Sequence, residues 1–282
     1  MAYPTVSAPY GFKPINLIGG QVFAGSTRNL PIQYGYATNI FYGDLVYLTN
    51  GFINRTTLTS NSFASGQIPV GVFLGCSYTN PLTKQKTFSQ YWPSGTLAGD
   101  AQAIVTDDPD TVFKIAVVSS GTTIASANQE MVGYNLKLVD NTGSTTTGNS
   151  AMAALGLTAS PATTNTFPLR VLGLVTDTAY SYSGIGSSSS TTVTLTTGVS
   201  GNVLAGADVG YIASGVPVQG GAFVTSAVSA GGTSATLNAA IAVPGGITAI
   251  PSASTVTFTN YPEILVKLNF GQHEYYAATS NA

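Results

Sequence analysis

The stretch DLVYLTNGFINRTT, Asp44–Thr57, decides the fold class. Two short runs rich in β-branched and aromatic residues flank Asn50-Gly51. That dipeptide accepts positive φ at both central positions of a type I′ turn, so the segment predicts a two-residue β-hairpin. The same signals continue outward. QIPVGVFLGCSYTN (67–80) is a continuous apolar run, as expected of a strand buried on both faces. KTFSQYWPSGT (86–96) alternates polar and aromatic residues before a Pro-Ser-Gly turn. DAQAIVTDDPDTVFKIAVVS (100–119) gives two strands around an Asp-rich corner, because Asp side chains bond their own downstream backbone. FPLRVLGLVTDTA (167–179) and YPEILVKLNF (261–270) complete the series, the latter with Ile264, Val266 and Leu268 on the more buried face. Two segments interrupt the pattern. SANQEMVGY (126–134), with Ser126 followed by Gln129, predicts one helical turn. SAMAALGL (150–157) is a second short helix candidate, stopped by Gly156.

Composition narrows the function. Only 7% of the 282 residues are charged, against roughly 25% in ordinary soluble proteins, and the net charge is −2. A surface of Ser, Thr, Asn, Gln and Tyr with little mutual repulsion suits a fixed assembly better than a concentrated free monomer. The lack of a basic balance argues against nucleic acid as a partner. No apolar run reaches the ~18 residues of a membrane span, and MAYPTVSAPYGFKP lacks a signal-peptide pattern. The single cysteine, Cys76, rules out an intrachain disulfide and reads as a small buried hydrophobe.

Residues 1–43 contain no acid, two bases (Lys13 and Arg28) and prolines at 4, 9, 14 and 31. Proline fixes φ and pushes its predecessor to extended backbone, so this region predicts an extended N-terminal arm. Its aromatics favour docking on a neighbour over a purely solvated tail. The contact candidates are Tyr3, Pro4, Tyr10, Phe12, Lys13 and Arg28, and removal of residues 1–28 is expected to leave the body folded.

From Thr178 to Pro262 the one conventional acid or base is Asp208. Short β-branched runs separated by Gly-rich turns predict a small sandwich or barrel here rather than a Ser/Thr linker. Val193, Leu195, Val209, Ile212, Val224, Val228, Leu237, Val256 and Phe258 are its candidate core. A self-contained module is tolerated where a host loop has close ends, so residues 184–259 read as an insertion in a body made of 44–183 and 260–282.

No catalytic constellation emerges, and no cofactor or metal is expected. His273 is the only histidine, which leaves neither a His-based metal site nor a triad with evident partners. GSTTTGNS (143–150) has the spacing of a phosphate-binding loop, but Asn149 stands where the lysine belongs. Asp107, Asp108 and Asp110 crowd a proline corner without the downstream Glu of a calcium loop, so a turn is favoured over a weak cation site. Glycoside cleavage would need an acid pair at a defined separation, and none can be assigned.

The pattern GDLVYLTNGFI … QIPVGVFLG, together with APYGFKPINLIGG, GYATNIFYGD and DDPDTVF, resembles the head decoration (capsid cement) proteins of tailed bacteriophages of the marine type. The likeness covers roughly residues 8–175 and 261–276. VGYIASGVPVQGGAFVTSAVS (209–229) is similar to a small β repeat appended to phage structural and tail proteins, with Gly220-Gly221-Ala222 departing from its usual Gly-Thr. The resemblance implies a β-barrel or β-tulip-like body on the outer surface of the virion head. It further implies a homotrimer, binding to the major capsid protein and no enzymatic activity. The expectation is therefore an all-β chain with an extended arm (1–43) and an inserted Ig-like β-sandwich module (184–259). The alternative is a tail or adhesion protein whose module binds host glycans.

Overall fold

A computed structural model describes residues 6, 8–125, 127, 129–156, 162–178, 182–213, 216–242 and 248–277. The described chain is all-β, with curled, barrel-like sheets and three single 3-10 turns. Among the described residues, no helix is long and apolar enough to cross a membrane. The chain forms two compact units. The body comprises residues 9–116, 129–173 and 264–282, and the second unit comprises 1–8, 117–128 and 174–263.

In the body, the Asn50-Gly51 hairpin forms as expected. Leu45–Thr49 pairs antiparallel with Phe52–Arg55, Thr49 opposite Phe52, with φ of 50° at Asn50 and 80° at Gly51. This hairpin ends a sheet ordered Arg28–Pro31, Gln102–Thr106, Gly71–Thr79, Leu45–Thr49, Phe52–Arg55. A parallel bridge between Ile32 and Ile53 brings the two ends of that order together, so the sheet rolls into a small barrel. Ile40, Val46, Ile53, Phe73, Val105 and the indole of Trp92 are among its buried core. Gly71–Thr79 is buried on both faces along most of its length, as its unbroken apolar sequence requires. Its register against Gln102–Thr106 shifts between Phe73 and Gly75, leaving Leu74 as the extra residue of a β-bulge.

A further sheet is ordered Asn135–Leu136, Leu169–Leu174, Glu263–Leu268, Thr111–Ser120, Ala153–Leu155, Leu138–Val139, with Lys13–Leu17 pairing along Thr111–Lys114. Glu263–Leu268 shows the expected alternation, Ile264, Val266 and Leu268 being buried. Two expectations need correction here. Residues 150–156 supply no helix: Ala153–Leu155 is a strand with all three residues buried, paired with Leu138–Val139, and residue 157 lies outside the described residues. Burial between neighbouring strands outweighs the high intrinsic helix propensity of Ala-Ala-Leu, a weak prior that tertiary context overrides. Residues 9–43 are not a detached arm: Pro9–Phe12 are buried, and both Lys13–Leu17 and Arg28–Pro31 are sheet members. The prolines fix extended backbone as expected, but the body itself uses that extended chain. The helical turn expected near Gln129 is present as a 3-10 turn over Gln129–Met131.

The second unit contains one six-stranded sheet ordered Val216–Phe223, Asp208–Ala213, Ser254–Thr259, Tyr182–Ser189, Thr192–Leu195, Ser234–Thr236. The edges of this order also meet. Val224 bridges Leu237, the Thr225 amide donates to Thr236 O at 2.8 Å, and the Asn238 amide donates to Phe223 O at 3.0 Å. The two layers anticipated from the sequence are thus opposite walls of a single rolled sheet. Seven of the nine anticipated core residues belong to its buried cluster, and Val228 packs against that cluster. Ile212 is only half-buried, because alternation along Asp208–Ala213 turns Val209 and Tyr211 inward. The unit is wider than the expected insertion, since residues 174–183 and 260–263 belong to it as well.

Candidate functional site

The anticipated contact residues do not form one surface. Tyr3 and Pro4 lie outside the described residues. Phe12 is fully buried, with its ring edge-on to Phe113 at 5.7 Å, and its amide donates to Gly43 O at 3.0 Å. Tyr10 is buried, and its ring carries the Lys13 ammonium at 4.1 Å from the centroid. Phe12 and Tyr10 are thus packed into the body and offer little to a partner, while Lys13 keeps part of its surface exposed. Arg28 is half-exposed but engaged: its Nε lies 2.9 Å from Asp107 Oδ2 and its Nη2 donates to the Tyr275 hydroxyl.

The acidic corner is a turn. Asp108 Oδ1 accepts the Asp110 N–H at 2.9 Å, and its carbonyl accepts the Thr111 N–H at 3.1 Å. Asp110 faces Lys267 at 3.4 Å, and Asp107 accepts the Tyr275 hydroxyl at 2.5 Å. The three carboxylates therefore serve separate partners: Asp107 engages Arg28 and Tyr275, Asp108 its own turn, and Asp110 Lys267. Among the described residues, no group of three or more His, Cys, Asp or Glu side chains is placed to hold a metal ion.

His273 sits beside this corner and is only 2% exposed. Its Nδ1 caps the 3-10 turn Glu274–Tyr276 by accepting the Tyr275 amide at 3.2 Å, so the neutral ring carries its proton on Nε2. Nε2 makes no well-formed hydrogen bond, although the Asp107 backbone lies close enough to favour the protonated ring. Burial nevertheless lowers the His273 pKa to about 4, against the pull of Asp107 and Asp108. Burial, reinforced by Asp107, pushes the Tyr275 hydroxyl up to about 12.

The densest polar arrangement in the body was not anticipated from the sequence. Asp44, fully buried, accepts the Phe41 amide at 2.8 Å and Arg55 Nε at 2.9 Å on Oδ2, and the Ser150 hydroxyl at 2.6 Å on Oδ1. Arg55 spends its other two nitrogens, Nη1 and Nη2, on the Asp140 carboxylate, an end-on bidentate pair. Burial lifts the Asp44 carboxyl above the ordinary range, while Arg55, Ser150 and Phe41 pull it down. Next to the Arg55–Asp140 pair is a cleft of about 200 Å³, also lined by Thr38, Asn39, Phe41, Thr142 and Gly143. The node ties together the Leu45 strand, the Phe52 strand and the 140–150 loop. The available signal was an Asp placed directly before an apolar strand in a chain with few charges.

The phosphate-loop look-alike belongs to this scaffold. Its Ser144 amide donates to Asn149 O at 2.9 Å and its Gly148 amide to Ser144 O at 2.8 Å, while Gly148 O accepts the Tyr42 amide at 3.0 Å. A β-carbon at Gly143 would lie 2.4 Å from the Phe41 ring, so close packing requires glycine there. Cys76 is buried, and burial pushes its thiol up to about 12, which makes it an unreactive core side chain.

The surface is notable for its apolar residues. Leu82, Val22, Phe88 and Phe270 are 89%, 79%, 78% and 74% exposed, and Phe270 stacks on Tyr276 at 5.8 Å. Compared with protein-family models, curated proteins and solved structures, the chain gives no match.

Proposed function

We propose that this is a virion structural protein that decorates and stabilises a phage head by bridging major capsid protein subunits. The observation that carries this reading is how charge and apolar surface are distributed. At least five of the eleven carboxylates are paired with a cation within the chain, in Arg28–Asp107, Arg55–Asp44, Arg55–Asp140, Lys86–Asp100 and Lys267–Asp110. What faces outward is hydroxyl-rich and dotted with large apolar side chains. Such a surface gains by lying against protein neighbours, and many weak contacts on one shell add through multivalency. Rolled sheets with matched ends resist deformation, which suits a mechanical role.

The protein acts in this reading without a reaction centre. The described polar clusters are engaged in holding turns and strands together. Mass-spectrometric copy counting on purified particles tests the proposal. A copy number comparable to that of capsid subunits, with release of the protein weakening the head, is the expected result. A few copies confined to the tail would replace it with the adhesion alternative, and absence from particles would end it.

A further inference from the structure

The cleft of about 200 Å³ beside the Arg55–Asp140 pair has walls that the fold holds still. Buried Asp44 fixes Arg55 Nε at 2.9 Å, and Arg55 in turn holds Asp140 through both Nη atoms. Asn39 Oδ1 accepts the Ser94 amide at 2.7 Å, and the Thr38 hydroxyl donates to the Tyr36 phenol. The Phe41 ring, stacked on Tyr91 at 5.7 Å, adds an apolar part to the lining. Groups fixed in this way lose little conformational entropy when a ligand arrives.

Several polar sites in the cleft remain open. Each carboxylate oxygen offers two acceptor positions, and Arg55 takes one on each oxygen of Asp140, whose side chain stays 23% exposed. Among the described residues, nothing in the chain engages the Asn39 Nδ2 amide or the Thr142 hydroxyl. The lining therefore presents a carboxylate edge that accepts, a carboxamide that donates and a hydroxyl that does either.

These groups select the chemistry of an occupant. Arg55 is the one cation of the lining, and all three of its guanidinium nitrogens are given to carboxylates, so an anion gains little here. A purely apolar molecule would strip water from Asp140 without replacing its hydrogen bonds. Among the described residues, no group of three or more His, Cys, Asp or Glu side chains gathers to hold a metal ion. A neutral molecule with adjacent hydroxyls meets every open site, and the volume, below the roughly 300–1,000 Å³ of larger ligand pockets, suits one compact ring.

We infer that this cleft binds a single neutral sugar ring, with neighbouring hydroxyls donating to Asp140, Asn39 and Thr142 completing the polar contacts, and a C–H face against Phe41. The site lies in the body, not in the unit that the adhesion alternative uses, and it does not rest on the virion reading.

Amide-resolved NMR titration of the full chain tests it, with methyl glycosides of glucose, galactose and mannose, free N-acetylglucosamine, and inorganic phosphate as the anionic probe. At least one sugar is expected to shift the Asn39, Phe41, Asp140 and Thr142 amides with a millimolar dissociation constant, and phosphate is expected to leave them unmoved. Asp140→Asn should weaken binding by about tenfold, because a charged acceptor is lost. Thr142→Phe, at an exposed position, should fill the cleft and abolish binding. Trp92 fluorescence checks that each variant is folded, and should Asp140→Asn lose that signal, Thr142→Phe alone decides. Sugars that leave these amides unmoved at about 100 mM, shifts confined to residues 182–259, phosphate acting on the same amides, or variants that bind as the wild type does would each overturn the inference.

Discussion

Replacing Phe12 by alanine tests whether the N-terminal region belongs to the body. The ring is fully buried and edge-on to Phe113. A phenylalanine buries about 150–250 Å², which at about 25 cal/mol per Å² corresponds to roughly 4–6 kcal/mol. Alanine keeps part of that area, and Phe→Ala substitutions in cores cost about 3–5 kcal/mol. A loss of about 4 kcal/mol is expected, a large share of the roughly 5–15 kcal/mol that stabilises a typical domain. The chain contains a single tryptophan, and Trp92 lies fully buried in the body. Urea unfolding followed by its fluorescence therefore reports the body without the second unit. With a slope of about 2 kcal/mol per molar urea, the midpoint should fall by about 2 M. Val22→Ser, in the same region but 79% exposed, should shift stability by less than about 0.5 kcal/mol. Truncation of residues 1–12 should behave like Phe12→Ala or worse. A Phe12→Ala midpoint within error of wild type would refute the argument and restore a detachable arm.

Other perturbations address the charged groups. Arg55→Met leaves Asp44 buried without its cation and should cost about 3–5 kcal/mol by the same assay, whereas adding Asp44→Asn should recover part of the loss. Asp208 is pushed up to about 7 by burial, so the folded second unit binds a proton more readily than the unfolded chain. Its stability should be greatest near pH 4 and fall as pH rises through 7. The full shift corresponds to about 4 kcal/mol, reduced to about 2 because the side chain keeps some solvent access. Calorimetry of Asp208→Asn should show that dependence flattened, and an unchanged profile would reject it. His273 works in the opposite sense: with a folded pKa near 4, it withdraws stability from the body as pH falls from 6.5 to 4. His273→Asn, which keeps a capping acceptor, should flatten that interval in Trp92-monitored melts.

The elements legible in the sequence were those whose signal is local. Asn50-Gly51 specifies its own turn, and the apolar run within 67–80 is consistent with the interior strand it forms over Gly71–Thr79. In the second unit, the apolar residues of the short runs identified most of the core, with Ile212 the exception because strand alternation gives the inward face to Val209 and Tyr211. Long-range placement was not legible. Proline and aromatic content at residues 9–31 marks extended chain, but a docking arm and a sheet member share that signature. Ala153–Leu155 is a strand because of what flanks it, and those flanks lie elsewhere in the chain. The Asp44–Arg55–Asp140 node joins residues from distant positions, and a single sequence offers no means of pairing them.

The placement of Glu263–Leu268 beside Thr111–Ser120 has a consequence for biosynthesis. As the polypeptide leaves the ribosome, Thr111–Ser120 emerges long before this neighbour has been translated. The rolled sheet of residues 182–259 contains all its own pairings and can mature meanwhile. The body therefore completes that sheet only once Glu263–Leu268 has been translated. A chain stalled after Thr259 would carry a finished appendage on an unsealed core, and so become a substrate for chaperones and proteases rather than a functional fragment.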